Sequence, residues 1–287
     1  MSKKLLIALL TLAMAVVFAG CGSSGGDASD DSASAEKAEV KVFAAASMQA
    51  SLEELEGTFE EANPDVDILL NCDSSGTLMT QIEEGAPCDI FFSAGQKQMD
   101  ELEEKGFVVD GTRQNVLNNQ LVVITQPDSE TAVTGLENLK DAKSIAMADG
   151  SVPVGKYTRQ ALMNLGILEE TDDPSTYTTQ QVSDALGGVE ISEQGNVSKV
   201  LTAVEEGSCE VGTVYLSDTY GHENNVKILE TVSYDVTGNI IYPVARITNQ
   251  DATDAENAAA DAFLEYITNA DAKALYDTHL FDTNVEQ

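Results

Sequence analysis

The stretch "VFAAASM", Val42–Met48, decides the reading of this chain. An apolar strand runs through three alanines into a serine, and an amphipathic pattern starts at once. Serine is a favoured N-cap, so a helix is expected to open at Ser47, with Met48, Leu52, Leu55 and Phe59 on one face. Ala44–Ala46 carry little bulk, so a ligand can come close to that helix start. The free N–H groups and the dipole of a helix N-terminus attract anions.

Outward from this point the pattern alternates. After a break at Asn63–Asp65, "VDILLNC" (Val66–Cys72) is a mostly apolar strand of the kind covered on both faces. A helix follows from Ser75 and stops at Gly85 and Pro87, then comes a strand at Cys88–Ala94 and a helix closed by Gly106. Further strands are expected at Leu121–Thr125, Ser144–Asp149, Val189–Ser192, Glu210–Leu216 and Ile240–Thr248. Helices are expected from Val154, over Val197–Glu206 and over Asp254–Tyr266. The fold class is α/β: two lobes, each a mainly parallel sheet flanked by helices, with a ligand in the cleft between them. The expected boundaries are 40–118 plus 243–287 for the first lobe and 119–242 for the second.

In such sheets the carboxyl ends of the strands carry the binding loops. Four of them lead straight into helix starts, at Ser47, at Asp73-Ser74-Ser75-Gly76, at Pro153-Val154-Gly155 and at Gly195-Asn196-Val197. Ser47 and Ser75 offer hydroxyls, Val154 and Val197 offer backbone N–H groups, and Tyr215 adds a phenol near the end of its strand. Ordinary capping explains one such serine. Four such termini from two lobes point to an oxyanion, without naming it.

The chain has 287 residues and a formal net charge of −34, which disfavours nucleic acid and anionic lipid surfaces as partners. Lys3 and Lys4 precede an apolar run, Leu5–Phe18, that is too short to span a bilayer comfortably. Ala19-Gly20-Cys21 then resembles a bacterial lipobox, with Phe18 where Leu is favoured. Residues 1–21 are expected to be a lipoprotein signal peptide with Cys21 as the lipidated residue, and 22–39 a flexible, acidic Gly/Ser tether. The expected location is extracytoplasmic, held to the membrane by the lipid alone. Cys72, Cys88 and Cys209 show no metal-type spacing. Cys72 and Cys88 fall at opposite edges of parallel strands, too far apart to bridge, and all three read as small buried hydrophobes.

The segments "VFAAASM", "SSGTL", "QIEEGAPCDIFFSAGQKQMDEL", "VPVGKY" and "VGTVYLSD" occur in this order. Together they resemble the periplasmic molybdate-binding proteins of ABC importers, from about Val40 to the C-terminus. The resemblance implies a type II periplasmic-binding-protein-like fold that closes on a tetrahedral dianion through hydrogen bonds. The implied contacts fall on Ser47, Ser75, Val154, Val197 and Tyr215. It further implies molybdate or tungstate as ligand, no cofactor, an ABC permease as partner, a monomer, and no enzymatic activity. Molybdenum would enter as the oxyanion, with no side chain ligating the metal. Two departures stand out: Gly76 where a serine is common, and "HLF" (His279–Phe281) in place of a frequent Y-G-F.

Three rivals are weighed. A hydrolase using Ser47 or Ser75 would need a nearby base, and neither His222 nor His279 falls in the expected cleft loops. A ferric-iron protein could use Tyr215, Tyr220 and His222. Sulfate or phosphate could replace molybdate. Phosphate keeps a proton near neutral pH and asks for an acceptor, whereas the mapped groups are all donors. A hydrogen bond to a charged group contributes ~1.5–3 kcal/mol, so about seven give roughly 10–20 kcal/mol before association costs, enough for nanomolar binding.

Overall fold

The computed structural model describes residues 37–285; the expected signal peptide, Cys21 and almost all of the tether lie outside the described residues. Among the described residues ten strands run as β1 (Ala38–Ala45), β2 (Val66–Asp73), β3 (Ile90–Phe92), β4 (Gln114–Asn119), β5 (Leu121–Thr125), β6 (Ser144–Ala148), β7 (Glu190–Gln194), β8 (Val211–Tyr215), β9 (Lys227–Thr231) and β10 (Ile240–Arg246). The helices are α1 (Gln49–Ala62), α2 (Ser75–Glu83), α3 (Gln96–Glu104), α4 (Pro153–Asn164), α5 (Thr179–Ala185), α6 (Val197–Glu205), α7 (Tyr234–Thr237), α8 (Asp254–Thr268) and α9 (Ala270–Thr278). None is long and apolar enough to cross a membrane.

Two five-stranded sheets form, in the orders β2-β1-β3-β10-β4 and β7-β6-β8-β5-β9. In the first, β2, β1 and β3 are parallel, and β10 lies antiparallel between β3 and β4. In the second, β7, β6 and β8 are parallel, and β5 lies antiparallel between β8 and β9. Four strands of each sheet therefore point one way, as the mainly parallel expectation requires. The reversed strand in each sheet is the one entered from the other sheet: β5 follows β4 across Gln120, and β10 follows β9 and α7.

Alternation along the strands covers the first sheet on both faces. Val42, Ala44, Ile90 and Phe92 join the cluster that holds Leu52, Leu55 and Phe59 of α1 and Phe263 and Ile267 of α8. Phe43 and Phe91 point the other way, into a cluster with Leu78 and Ile82 of α2 and Met99 and Leu102 of α3.

Several expectations shift. The boundaries at 118/119 and 242/243 cut through β4 and β10: Asn119 pairs with Ile240, and Leu117 with Tyr242, inside the first sheet. β1 begins at Ala38, so the expected tether, 22–39, overruns the strand by two residues. Pairing with β2 gives Ala38 and Glu39 partners that composition does not reveal. β4, β9, α5, α7 and α9 carry weak periodicity and were not expected. Cys88 and Cys209 are buried, but Cys72 is only half-buried near the end of an edge strand; all three are free thiols. Burial pushes the Cys72 thiol up to about 12. Phe281 of "HLF" packs edge-on against Tyr242 and Tyr276, while Leu280 takes φ 65°, the left-handed region that favours glycine.

Candidate functional site

The strand ends and helix starts of the two sheets meet at one small cavity of about 10 Å³. Ser47, Ser75, Val154, Val197 and Tyr215 all line it, together with Ala45, Ala46 and Asp73. The five residues expected from sequence, 168 positions apart at the extremes, are thus brought together.

Ser47 does not cap its helix. Ala45 precedes a 3-10 turn, Ala46–Met48, and Ser47 sits inside that turn. Its Oγ instead lies 3.0 Å from Tyr242 Oη. At α2 the work is divided between neighbouring serines. Ser74 Oγ accepts from Thr77 N–H and serves as N-cap, while Ser75 Oγ accepts from Ala94 N–H at 3.0 Å. The Ser75 proton is left without an acceptor among the described residues, and Ser75 is buried against the cavity.

α4 opens without a side-chain cap, so the Val154 N–H at its first turn has no capping partner. Arg159 holds this turn in place. Its Nη1 donates to Ala148 O (2.8 Å) and Gly155 O (2.9 Å), and its Nε donates to Tyr177 O (2.8 Å). Gly155 permits the contact, because a Cβ there would lie 2.0 Å from Asp149 O. At α6, Asn196 Oδ1 accepts from Lys199 N–H, and Nδ2 donates to Asp73 Oδ1 across the cleft (2.9 Å). The Val197 N–H opens this helix.

Tyr215 is fully buried, and its Oη is the one buried side-chain polar atom without a hydrogen-bond partner among the described residues. Burial, with the nearby Tyr242, Tyr157 and Asp218, pushes this phenol well above its usual range, so it remains a donor. An unpartnered buried hydroxyl costs about 1–3 kcal/mol, and a ligand oxygen would relieve it.

Among the described residues no lysine or arginine lines the cavity. Lys156 and Lys97 face a separate cavity of about 440 Å³ beside it. Lys97 also donates to Asp173 at 2.9 Å, from α3 of the first lobe to the second. Gly76 lies where the lobes approach: a Cβ there would sit 2.9 Å from Ser151 O, which accounts for glycine in place of serine.

The rival sites do not assemble. His222 bonds Glu205, and His279 bonds Glu54; neither is bonded to Ser47 or Ser75. Tyr220 is exposed and packs at a tilt against His279, away from the small cavity that Tyr215 lines. Among the described residues no group of three His, Cys, Asp or Glu could hold a metal. Sequence reasoning placed Asp73 in a binding loop without giving it a role, and missed Asn119 and Tyr242. These two join the site through pairings 123 and 195 residues apart, and no local signal marks them.

Residues 40–281 match the family of bacterial extracellular solute-binding proteins. The chain belongs to that family. The molybdate-binding protein ModA of Escherichia coli (strain K12) is 32% identical over 92% of this chain and 96% of its own. YvgL of Bacillus subtilis (strain 168), named for a substrate-binding lipoprotein of an ABC transporter, is 28% identical over 98% of this chain and 99% of its own. The periplasmic molybdate-binding protein of Azotobacter vinelandii superposes with a TM-score of 0.70 at 23% identity, over 86% of this chain and 100% of that one. That likeness shows the fold, two lobes of the type II kind, as the family resemblance implied. In this chain the cavity lies where the Ser47 turn and the starts of α2, α4 and α6 converge.

Proposed function

We propose that this solute-binding protein captures molybdate, and tungstate with it, outside the cytoplasm and delivers it to an ABC permease without catalysing a reaction. One observation carries the reading: the Tyr215 hydroxyl is buried and unpartnered in a cavity that Ser47, Ser75 and the starts of two helices also line. A fully ionised tetrahedral dianion accepts from every donor and needs none in return. Tungstate matches molybdate in charge and size, so hydrogen bonds alone separate the two weakly. Relatives named for molybdate binding support the choice of anion.

Titration calorimetry with molybdate, tungstate, sulfate and phosphate tests this. Molybdate and tungstate are expected to bind with nanomolar affinity, about 12 kcal/mol, with sulfate and phosphate far weaker. Tighter binding of sulfate or phosphate overturns the choice of anion. Lys156→Met is expected to leave molybdate affinity within about twofold, because no cation lines the cavity. A tenfold loss in that variant, beyond the ~1 kcal/mol that a remote surface charge supplies, would place a cation in the binding energy.

The lipobox-like Cys21 and the acidic tether suggest that the domain works as a monomer leashed to the outer membrane face. YvgL, named as a lipoprotein, supports this. Cys21→Ser is expected to move the protein from the membrane fraction to the soluble one or to block processing. Unchanged fractionation would rule out the anchor.

A further inference from the structure

We propose that Asn119 and Tyr242 are positioning residues that lock the Ser47 hydroxyl as a donor, so that the cavity rejects oxyanions that carry a proton. The inference rests on the oxyanion reading of the site and deepens it.

The direction of each hydrogen bond follows from its neighbours. Asn119 Oδ1 accepts from Gln120 N–H (2.9 Å), which fixes the amide's orientation. Its Nδ2 therefore faces outward and donates to Tyr242 Oη (3.1 Å) and to Ser217 Oγ (2.8 Å). Tyr242 Oη thus accepts from Asn119 and keeps one proton of its own. Tyr242 is fully buried, and its remaining partner is Ser47 Oγ at 3.0 Å. Were Ser47 the donor, the phenol proton would be buried with no acceptor among the described residues, a costly arrangement. The satisfied arrangement has Tyr242 donating to Ser47. Ser47 has then spent an acceptor site, and its own proton is left for the cavity.

The same logic holds at Ser75, whose Oγ accepts from Ala94 N–H. Burial keeps the Tyr242 phenol protonated, as it does that of Tyr215. The Ser47, Ser75 and Tyr215 hydroxyls thus meet the ligand as donors, as do the helix-start N–H groups, while the Ser74 hydroxyl is engaged with Thr77. The carboxylate in the lining, Asp73, already accepts on Oδ1 from Ser74 N–H (2.7 Å) and from Asn196 Nδ2 (2.9 Å). At the Ser47, Ser75 and Tyr215 hydroxyls and at the helix starts, a hydrogen phosphate would have to press its O–H against a donor.

The relay is built into the connections between the lobes. Asn119 ends β4 where the chain leaves the first sheet, and Tyr242 lies in β10 where it returns. Ser217 belongs to the turn after β8, in the second lobe.

Tyr242→Phe tests the relay. The ring keeps its edge-on contacts with Tyr215 and Phe281, and only the hydroxyl goes. Ser47 can then rotate and accept. Titrations with molybdate and with inorganic phosphate at one pH are expected to show the affinity ratio between the two anions shrinking by about tenfold. An equal loss for both anions, with the ratio unchanged, would mean a merely structural role and overturn the proposal. In a Ser47→Ala background, Tyr242→Phe should shift molybdate affinity by less than about twofold, and additive effects overturn it. Asn119→Asp gives a second handle of nearly the same shape. The new carboxylate accepts from Tyr242, reverses the relay and draws the Ser47 proton away, so molybdate affinity should fall by about tenfold or more. Wild-type affinity for phosphate equal to that for molybdate overturns the relay and leaves an oxyanion site standing. Failure to bind any tetrahedral oxyanion overturns the functional reading itself.

Discussion

Tyr215→Phe is expected to lower molybdate affinity by about ten- to hundredfold while the thermal midpoint holds or rises. The substitution removes one oxygen and leaves the ring, which packs edge-on against Tyr242 at 5.8 Å. In the free protein that oxygen is buried and unpartnered, so its loss costs no hydrogen bond within the fold. In the complex it is expected to donate to a charged oxygen, a bond that contributes ~1.5–3 kcal/mol. Affinity and stability should therefore move apart, which a packing defect would not produce. Ser75→Ala is the companion variant: it removes a second donor, and with it the acceptor for Ala94 N–H, so here some stability goes too. Calorimetry with molybdate beside a thermal scan distinguishes the two patterns. Wild-type affinity in Tyr215→Phe would show that the phenol does not reach the ligand.

Gly155→Ala carries the largest expected loss of both stability and binding. A Cβ at this position would lie 2.0 Å from Asp149 O and 2.5 Å from Ala148 O, both backbone atoms that no rotamer can move. The turn between β6 and α4 must open instead. Ala148 O and Gly155 O also accept from Arg159 Nη1, so the buried guanidinium loses its fit at the same time. Overpacking costs ~1–3 kcal/mol, and a disturbed buried charged hydrogen bond costs a similar amount. A loss of about 3 kcal/mol or more corresponds to roughly 6–12 °C in the thermal midpoint of a domain this size. The first turn of α4 brings Val154 to the cavity lining, and its N–H is proposed to reach the ligand, so molybdate affinity should fall by about a hundredfold as well. A variant that melts and binds like the wild type would show that the turn is not the rigid element inferred from its contacts.

Much of this protein was legible in the chain itself. Apolar runs followed by amphipathic stretches announced the strand–helix order, because the two periods, two and 3.6, are local properties of side-chain direction. Small residues and serines at strand ends marked where a ligand can approach backbone N–H groups, so Ser47, Ser75, Val154, Val197 and Tyr215 could be chosen before any contact was known. Their roles as contacts remain proposals, but their convergence on one cavity is a property of the fold.

The tertiary structure alone decided which hydroxyl does what. Ser47 reads as an N-cap from its neighbours, yet a residue 195 positions away claims its oxygen. Ser74 and Ser75 are alike in sequence; one caps α2 and the other is turned to Ala94 and the cavity. The boundary at Asn119 and Tyr242 was misplaced by the same blindness. These residues belong to crossing strands, and the position of β10 between β3 and β4 is set by pairing over more than a hundred residues. The physical reason is the range of the forces involved. Periodicity and capping depend on a few neighbours along the chain. The direction of a hydrogen bond in a buried chain of hydroxyls depends on which donors and acceptors the whole sheet order places within about 3 Å of one another.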